Sequence, residues 1–344
     1  MSRYAFLILP SSNRVYAAAS AALARAELGV FNQAVMSSRI SGIDNSDIGG
    51  VPYVTFDCRD LTEHDTAMLA NLSSLYALFG IEGEVLRPLA LSRLDRFDDD
   101  LITIQKYPGK TNEQFTKLLL NVTLLSSGFA ADMLERKFSV LDPLCGRGTT
   151  LNQALMYGFD AYGVDIDGRD VEAYSAFIER WLKDKRLKHR AEFGPVRRNR
   201  QVVAHRLRVS LAATKEDYKA GNVQRLDVVH AETTRVLEFF RPESADLVVA
   251  DAPYGIQRGS RATGKGLARS PLDLLAEAAP AWVRVLRPSG ALGISWNTFV
   301  ARREDAVAAL AAAGLQVMDS GPYLDFRHRV DQAILRDILV ARKP

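Results

Sequence analysis

The chain has 344 residues, 47% of them hydrophobic, with 44 basic against 41 acidic side chains and a formal net charge of +3. That length supports two domains with a core each, and the near balance of charge removes any case for nucleic acid or an anionic membrane from composition alone. Cys58 and Cys145 are the only cysteines, form no Cys-x-x-Cys pair and stand in no metal-ligand spacing, so the sequence predicts a reducing compartment and no metal site. The apolar run inside Met1 to Pro10 is too short for a secretory leader, and no stretch reaches the roughly eighteen apolar residues of a membrane span. A cytoplasmic protein without a membrane partner is expected.

In chain order, Tyr4 to Leu9 reads as a strand and the Ala-rich Arg14 to Leu28 as a helix. The Gly/Ser/Asn/Asp-rich stretch from Ser37 to Gly50 reads as a loop, and Val51 to Phe56, β-branched and aromatic, as a strand. An apolar periodic segment follows from Thr66 to Phe79, then strand candidates at Glu84 to Leu91 and Leu101 to Lys106 on either side of the acidic turn Asp95 to Asp100. Residues 1–100 are therefore predicted to form a small α+β domain. Beyond them short apolar strands alternate with longer helical segments: Phe138 to Leu141, Ala161 to Val164, Asp227 to Val229, Ala245 to Ala250, Ala291 to Trp296 and Leu315 to Met318. Such alternation specifies a mainly parallel sheet, because parallel strands need crossover connections. Ile334 to Ala341 follows a short connection and is expected to be an antiparallel last strand. The fold class is α/β, with a Rossmann-like sheet over 101–344 and the smaller domain before it.

The strongest motif is Asp142-Pro143-Leu144-Cys145-Gly146-Arg147-Gly148-Thr149-Thr150, between the strand at Phe138 and a helix opening at Leu151. A glycine turn there lets the backbone approach a ligand while the helix start offers free N–H groups. Gly-x-Gly alone is a weak signal, since a structural turn explains it equally well. Its weight rises because Gly163-Val164-Asp165-Ile166-Asp167 ends the next strand, where a carboxylate accepts from ribose hydroxyls. Asp165 could instead cap the following helix, but Asp167 is better placed for that. A dinucleotide site is the rival for this unit. The third glycine of Gly-x-Gly-x-x-Gly is missing, and Asp142 would repel a pyrophosphate while pairing with the ammonium group of a methionine moiety. S-adenosylmethionine is the expected cofactor.

A second motif, Asp251-Ala252-Pro253-Tyr254-Gly255, ends the apolar strand Ala245 to Ala250. At the carboxyl end of a parallel sheet such a turn lies in the ligand crevice. Methylation of an aromatic amine needs acceptors for its N–H groups and a surface that holds the ring in line, roles open to Asp251, the carbonyl of Ala252 and Tyr254. A plain strand-ending turn with a buried tyrosine is the alternative.

These two motifs resemble the Asp-Pro-Phe-Cys-Gly-Ser-Gly-Thr and Asp-Pro-Pro-Tyr signatures of class I amino-methyltransferases. The branch they resemble most is the tRNA guanosine N2-methyltransferases, also called TRM-eleven-like, over about residues 105–344. The resemblance implies a seven-stranded class I sheet with its last strand reversed. It implies that Asp142, Pro143, Cys145, Gly146, Gly148, Thr149, Thr150, Asp165, Ile166 and Asp251 bind the cofactor. It also implies that Thr111, Asn112, Gln114 and Phe115, in Tyr107-Pro108-Gly109-Lys110-Thr111-Asn112-Glu113-Gln114-Phe115-Thr116, cover its methionine end. An acid or amide contacting adenine falls near Glu232, which a surface glutamate at a helix start explains as well. Two departures stand out: Ala252 replaces the first proline of the catalytic signature, loosening the turn, and residues 1–100 show no match to the RNA-binding THUMP domain of relatives beyond a compatible strand and helix pattern.

Lys183 to Arg208 concentrates basic residues within an apparent insertion near 183–225. A solvated basic helix is the plain reading; phosphate contacts from Arg197, Arg198 and Arg200 are the functional one. Gly259 to Gly266 imitates a P-loop but puts Gly266 where Ser or Thr is required, so it reads as a basic loop over the crevice with Lys265 reaching substrate. Asn297 is expected to be a helix cap. The sequence reading is a methyltransferase acting on an exocyclic amine of a nucleic-acid base, guanosine in tRNA first. DNA, a peptide or a metabolite as acceptor, or a non-catalytic cofactor-binding protein, remain as alternatives.

Overall fold

The structure is a computed structural model that describes residues 1–11, 13–252 and 271–344. The chain opens with β1 (Ser2–Ile8), α1 (Arg14–Ala34), β2 (Ile40–Ile48), β3 (Val51–Cys58), α2 (Glu63–Leu69), β4 (Leu75–Glu82) and β5 (Val85–Leu89). These strands form one antiparallel sheet in the order β2-β3-β1-β4-β5. The expected loop at Ser37 to Gly50 is in fact β2: its polar residues pair with β3 as an edge strand, where an exposed face needs no apolar alternation. The single apolar segment from Thr66 to Phe79 is divided, because Ala70 to Ser74 turns the chain between α2 and β4.

Next come α3 (Asp100–Thr103), α4 (Glu113–Ser126), β6 (Ser139–Asp142), α5 (Thr149–Met156), β7 (Asp160–Asp165) and α6 (Gly168–Asp184). Leu101 to Lys106, expected as a strand, begins instead as the helical turn α3. Asp100 there accepts from the Trp181 indole (2.9 Å) and pairs with Lys185 (2.6 Å), partners on α6 and at its carboxyl end that periodicity could not reveal. The chain continues through β8 (His189–Arg198), β9 (Gln201–Leu211), α7 (Lys215–Ala220), β10 (Gln224–His230) and β11 (Ala245–Asp251). It ends with α8 (Pro271–Val285), β12 (Leu286–Asn297), α9 (Arg303–Ala312), β13 (Gln316–Met318), β14 (His328–Arg329) and β15 (Leu335–Arg342).

The second sheet runs β13-β15-β12-β11-β6-β7-β10-β9-β8, with β14 on β15. Strands β12, β11, β6, β7 and β10 are mutually parallel, whereas β15 is antiparallel to both β12 and β13. Seven strands, from β10 through β13, thus reproduce the class I order with a reversed strand inserted near one edge. The remaining pair, β8 and β9, makes the basic run an antiparallel hairpin added beyond β10, not the solvated helix of the plain reading. Alternation in Arg206-Leu207-Arg208-Val209-Ser210-Leu211 places leucine and valine inward and the polar residues outward, the period of a strand. Asn199 and Arg200, both at positive φ (48° and 65°), make the tight two-residue turn that joins the pair.

The two sheets share apolar packing. One continuous cluster joins Phe6, Phe31 and Phe56 of the first sheet and its helix to Leu118 and Leu119 of α4 and to Val140 and Val228 of the second sheet. Among the described residues no helix is long and apolar enough to cross a membrane.

Candidate active site

Parallel alignment brings the carboxyl ends of β6, β7, β10, β11 and β12 to one edge of the sheet, and each of β6, β7 and β11 ends in an aspartate. The chain proceeds from β6 to β7 on one side and returns to β11 on the other, so the crevice of the fold opens between β6 and β11. Asp142 and Asp251 flank that switch point on adjacent strands, and Asp165 lies one strand further, level with His230 in register.

The glycine turn is shaped for close approach. Gly146 (φ 49°) and Gly148 (φ 78°) both occupy the left-handed region. A Cβ on Gly148 would come within 2.4 Å of the Tyr174 ring, so the helix α5 can begin here only on glycine. A Cβ on Gly146 would meet nothing within 4 Å, leaving open space over the turn. Asp165 fixes the turn from the neighbouring strand: its carboxylate accepts from Gly146 N (2.6 Å) and Asp167 N (2.8 Å). Each oxygen keeps a second lone pair for a ligand hydroxyl. Burial pushes the Asp165 carboxyl above the usual range. Asp167 caps α6 by accepting from Arg169 N (2.9 Å), which releases Asp165 from that duty.

Asp142 is buried at 3% exposure and accepts from Leu144 N (3.0 Å). Burial pushes its carboxyl up to about 7, against the opposing hydrogen bonds of Leu144 N–H and the Thr150 hydroxyl. A buried carboxyl of this kind is shifted toward its ionised form by any cation brought beside it. Thr149 pairs with the Tyr107 hydroxyl (3.0 Å), and the Arg147 guanidinium lies 5.0 Å from the Tyr107 ring while pairing with Asp170 (2.8 Å). The Tyr107 segment is thereby held across the mouth of the turn.

Asp251 is gripped on both oxygens, by the Thr111 hydroxyl and by the Ser295 hydroxyl, its register partner on β12. Arg336 on β15 stands 3.9 Å away, buried, with its guanidinium 4.2 Å from the Phe115 ring. His328 packs beside the same ring, and burial lowers its imidazole to about 4, so it is neutral at ordinary pH.

Of the residues singled out in the sequence, Thr111, Asp142, Gly146, Gly148, Thr149, Thr150, Asp165 and Asp251 converge on this edge. Pro143 and Cys145 are buried within the turn, and Ile166 is 37% exposed beside it. Others in the 111–115 segment face elsewhere. Asn112 caps α4 and donates to the Ser11 hydroxyl (3.2 Å), Gln114 donates to Leu9 O (3.0 Å), and Phe115 is core. Glu232 is exposed just after β10, where it precedes a short 3-10 turn. Arg198 is bound by Glu238 (2.9 Å), while Arg197 and Arg200 are exposed. Ala252 is buried and donates to Ser295 O (2.9 Å); Pro253, Tyr254, Lys265 and the loop from Gly259 to Gly266 lie outside the described residues. Asn297 is not the expected helix cap, since α9 begins only at Arg303: it ends β12 and braces it to the start of β15, accepting from Phe299 N and Leu335 N (3.1 Å each). Sequence reasoning missed Ser295 and Arg336, which carry no motif; only their place at the ends of strands β12 and β15 marks them.

Residues 129–291, just under half of the chain, match the UPF0020 family, described as an RMKL-like methyltransferase domain. That stretch is similar to a methyltransferase domain, and the strand order of the second sheet is that of the class I methyltransferase fold. The match spans the strands β6 to β11, and with them the glycine turn, Asp165 and Asp251. No curated protein matches the sequence. Among solved structures the chain is similar to a TehB-like SAM-dependent methyltransferase from Corynebacterium glutamicum, at 16% identity over 61% of this chain and 82% of that one, with a TM-score of 0.34. It is also similar to the N-methyltransferase NodS from Bradyrhizobium japonicum, at 12% identity over 67% and 95%, with a TM-score of 0.38. Neither likeness carries weight beside the strand order itself. Among the described residues no group of three or more His, Cys, Asp or Glu could hold a metal ion.

Proposed function

We propose that the protein methylates the exocyclic amine of a nucleic-acid base, with guanosine in tRNA as the acceptor and S-adenosylmethionine as the donor. The observation that carries this reading is Asp251: a carboxylate at the switch point of the sheet, one strand from Asp142 and aimed by Thr111 and Ser295. In the proposed site Asp142 pairs with the ammonium of the methionine moiety, Gly146 and Gly148 give the backbone close access, and Asp165 accepts from ribose hydroxyls. S-Adenosylmethionine, when bound, supplies an electrophilic methyl group. Asp251 accepts a hydrogen bond from the target amine, orients its nitrogen lone pair and stabilises the positive charge that grows there. Thr111 and Ser295 restrict the carboxylate to one orientation, so little reorganisation accompanies the reaction. An amine acceptor suits this arrangement because a carboxylate accepts N–H bonds and holds no acidic proton for an oxyanion. Residues 1–100 support the site from behind, through the contacts of Asn112 and Gln114 with Ser11 and Leu9.

The test is transfer of labelled methyl from S-adenosylmethionine to an unmodified tRNA transcript, with calorimetry of cofactor binding alongside. Asp251→Ala is expected to keep cofactor affinity within about threefold and to lower transfer by at least about a hundredfold, the size of losing one preorganised transition-state contact. Asp165→Ala is expected to weaken cofactor binding instead. Undiminished transfer by Asp251→Ala would falsify the assignment.

A further inference from the structure

We infer that the tip of the β8–β9 hairpin is a phosphate-binding surface for an RNA strand whose target base lies at Asp251. This rests on the proposed reading and names where the polymer, beyond the reacting base, is held. Register decides the location. His205 of β9 pairs with His230, the last residue of β10, and β9 begins four residues earlier at Gln201. At about 3.4 Å per residue the hairpin therefore projects about 14 Å past the carboxyl end of β10, on the same edge as Asp142, Asp165 and Asp251. The tip is thus directed toward the ligand side of the sheet.

The tip is built to stay in place and to present cations. Arg198 is secured by the Glu238 carboxylate (2.9 Å) and carbonyl, with its guanidinium 5.5 Å from the Phe239 ring. Arg235 shares the same carboxylate (2.7 Å). One acid thus faces two guanidiniums, and Arg197 and Arg200 add two exposed charges that form no ion pair among the described residues. The turn residue Arg200 holds positive φ, which fixes the direction of the chain at the apex.

Distance selects a polymer. From β11 to β9 the strand order is β11-β6-β7-β10-β9, four steps of about 4.8 Å, or about 19 Å along the edge. A free base or nucleoside seated at Asp251 does not reach the hairpin, whereas a polynucleotide does. The base must also be unpaired to enter the crevice. Folded RNA offers unpaired bases in loops and bulges, while duplex DNA has to be opened first, so RNA is the strand this surface fits.

The experiment measures binding of a fluorescently labelled unmodified tRNA transcript to the full chain across a salt series, independently of methyl transfer. Arg197→Ala/Arg200→Ala is expected to lower affinity at least tenfold near physiological salt. The slope of log K against log salt is expected to fall by about 1.4, about 0.7 for each phosphate contact on a single strand. The Lys/Lys pair restores the slope, and cofactor affinity measured by calorimetry is unchanged, which excludes misfolding. Equal affinity and slope for wild type and the Ala pair overturn the inference, as does absence of tRNA binding. Duplex DNA of equal length bound as tightly, with the same sensitivity, overturns the RNA assignment. Loss of binding in the Ala pair with no methyl transfer by the wild type leaves the hairpin surface standing and removes the methylation reading. Transfer to tRNA with unaltered binding by the Ala pair does the reverse.

Discussion

Asp142 sets the chemistry that a single residue can impose. Its carboxyl is raised to about 7, well above the ordinary aspartate value, because burial disfavours the charged form. With no cation beside it the folded state therefore binds a proton that the unfolded chain releases, so this contribution to stability is present below the unfolded value and is lost as pH rises through about 7. A cationic ligand reverses the preference, since the ionised carboxylate is the form that pairs with an ammonium. S-Adenosylmethionine affinity is accordingly expected to increase from pH 6 to pH 8, and Asp142→Asn to flatten that profile while weakening binding at pH 8 about 10- to 100-fold, as expected for a lost charged hydrogen bond. Calorimetry at three pH values checks it; a wild-type profile without slope would remove the ammonium role. Asp142, Gly146, Gly148, Asp165 and Asp251 were legible in the sequence because strand, turn and acid follow one another along the chain. Ser295 and Arg336 were not, since what places them against Asp251 is pairing across β12 and β15.

At the scale of elements, the docking of α1 on α4 turns on Glu27. It is fully buried and accepts from Ser73 N (3.0 Å), the Ser73 hydroxyl (2.6 Å) and Asn121 Nδ2 (2.7 Å). Asn121 in turn donates to Asn71 O (2.8 Å) and accepts from the Tyr157 hydroxyl (2.8 Å), which links α1, the turn after α2, α4 and the end of α5 in one network. Burial raises the Glu27 carboxyl to about 7, so its pH-dependent term has the same sign as that of Asp142, falling as pH rises through that value. Glu27→Ala leaves buried donors unmatched, and an unfolding cost of about 3 kcal/mol is expected in urea titration at pH 6. A cost below about 1 kcal/mol would show that the network is dispensable. None of this was visible in Arg14 to Leu28, where Glu27 reads as one polar residue on an Ala-rich helix. The hairpin was legible in the alternation of Arg206 to Leu211 but obscured by its charge, because basic runs suggest solvated helices. Strand β2 and helix α3 were hidden for a different reason: short polar or ambiguous segments take their conformation from their neighbours.

Across the whole molecule, the two sheets are held by one apolar cluster that runs from Phe6 and Phe56 through α1 and α4 to the strands β6 and β10. Sheets that share a core lose their packing together, so calorimetry is expected to show a single cooperative transition in which both unfold; two resolved transitions would separate the first sheet from the second. The sequence by itself determined the alternation of strand and helix, and with it the parallel sheet, the reversed last strand and the aspartates that end β6, β7 and β11. Those features are encoded by residues adjacent in the chain, through apolar period, glycine turns and strand-end acids. Tertiary structure alone decided which hydroxyls and cation surround Asp251, that Asn112 and Gln114 tie α4 to the first sheet, and that the basic segment stands as a hairpin on the ligand edge. Each depends on contact between residues far apart in sequence, and no local pattern specifies which strands lie side by side.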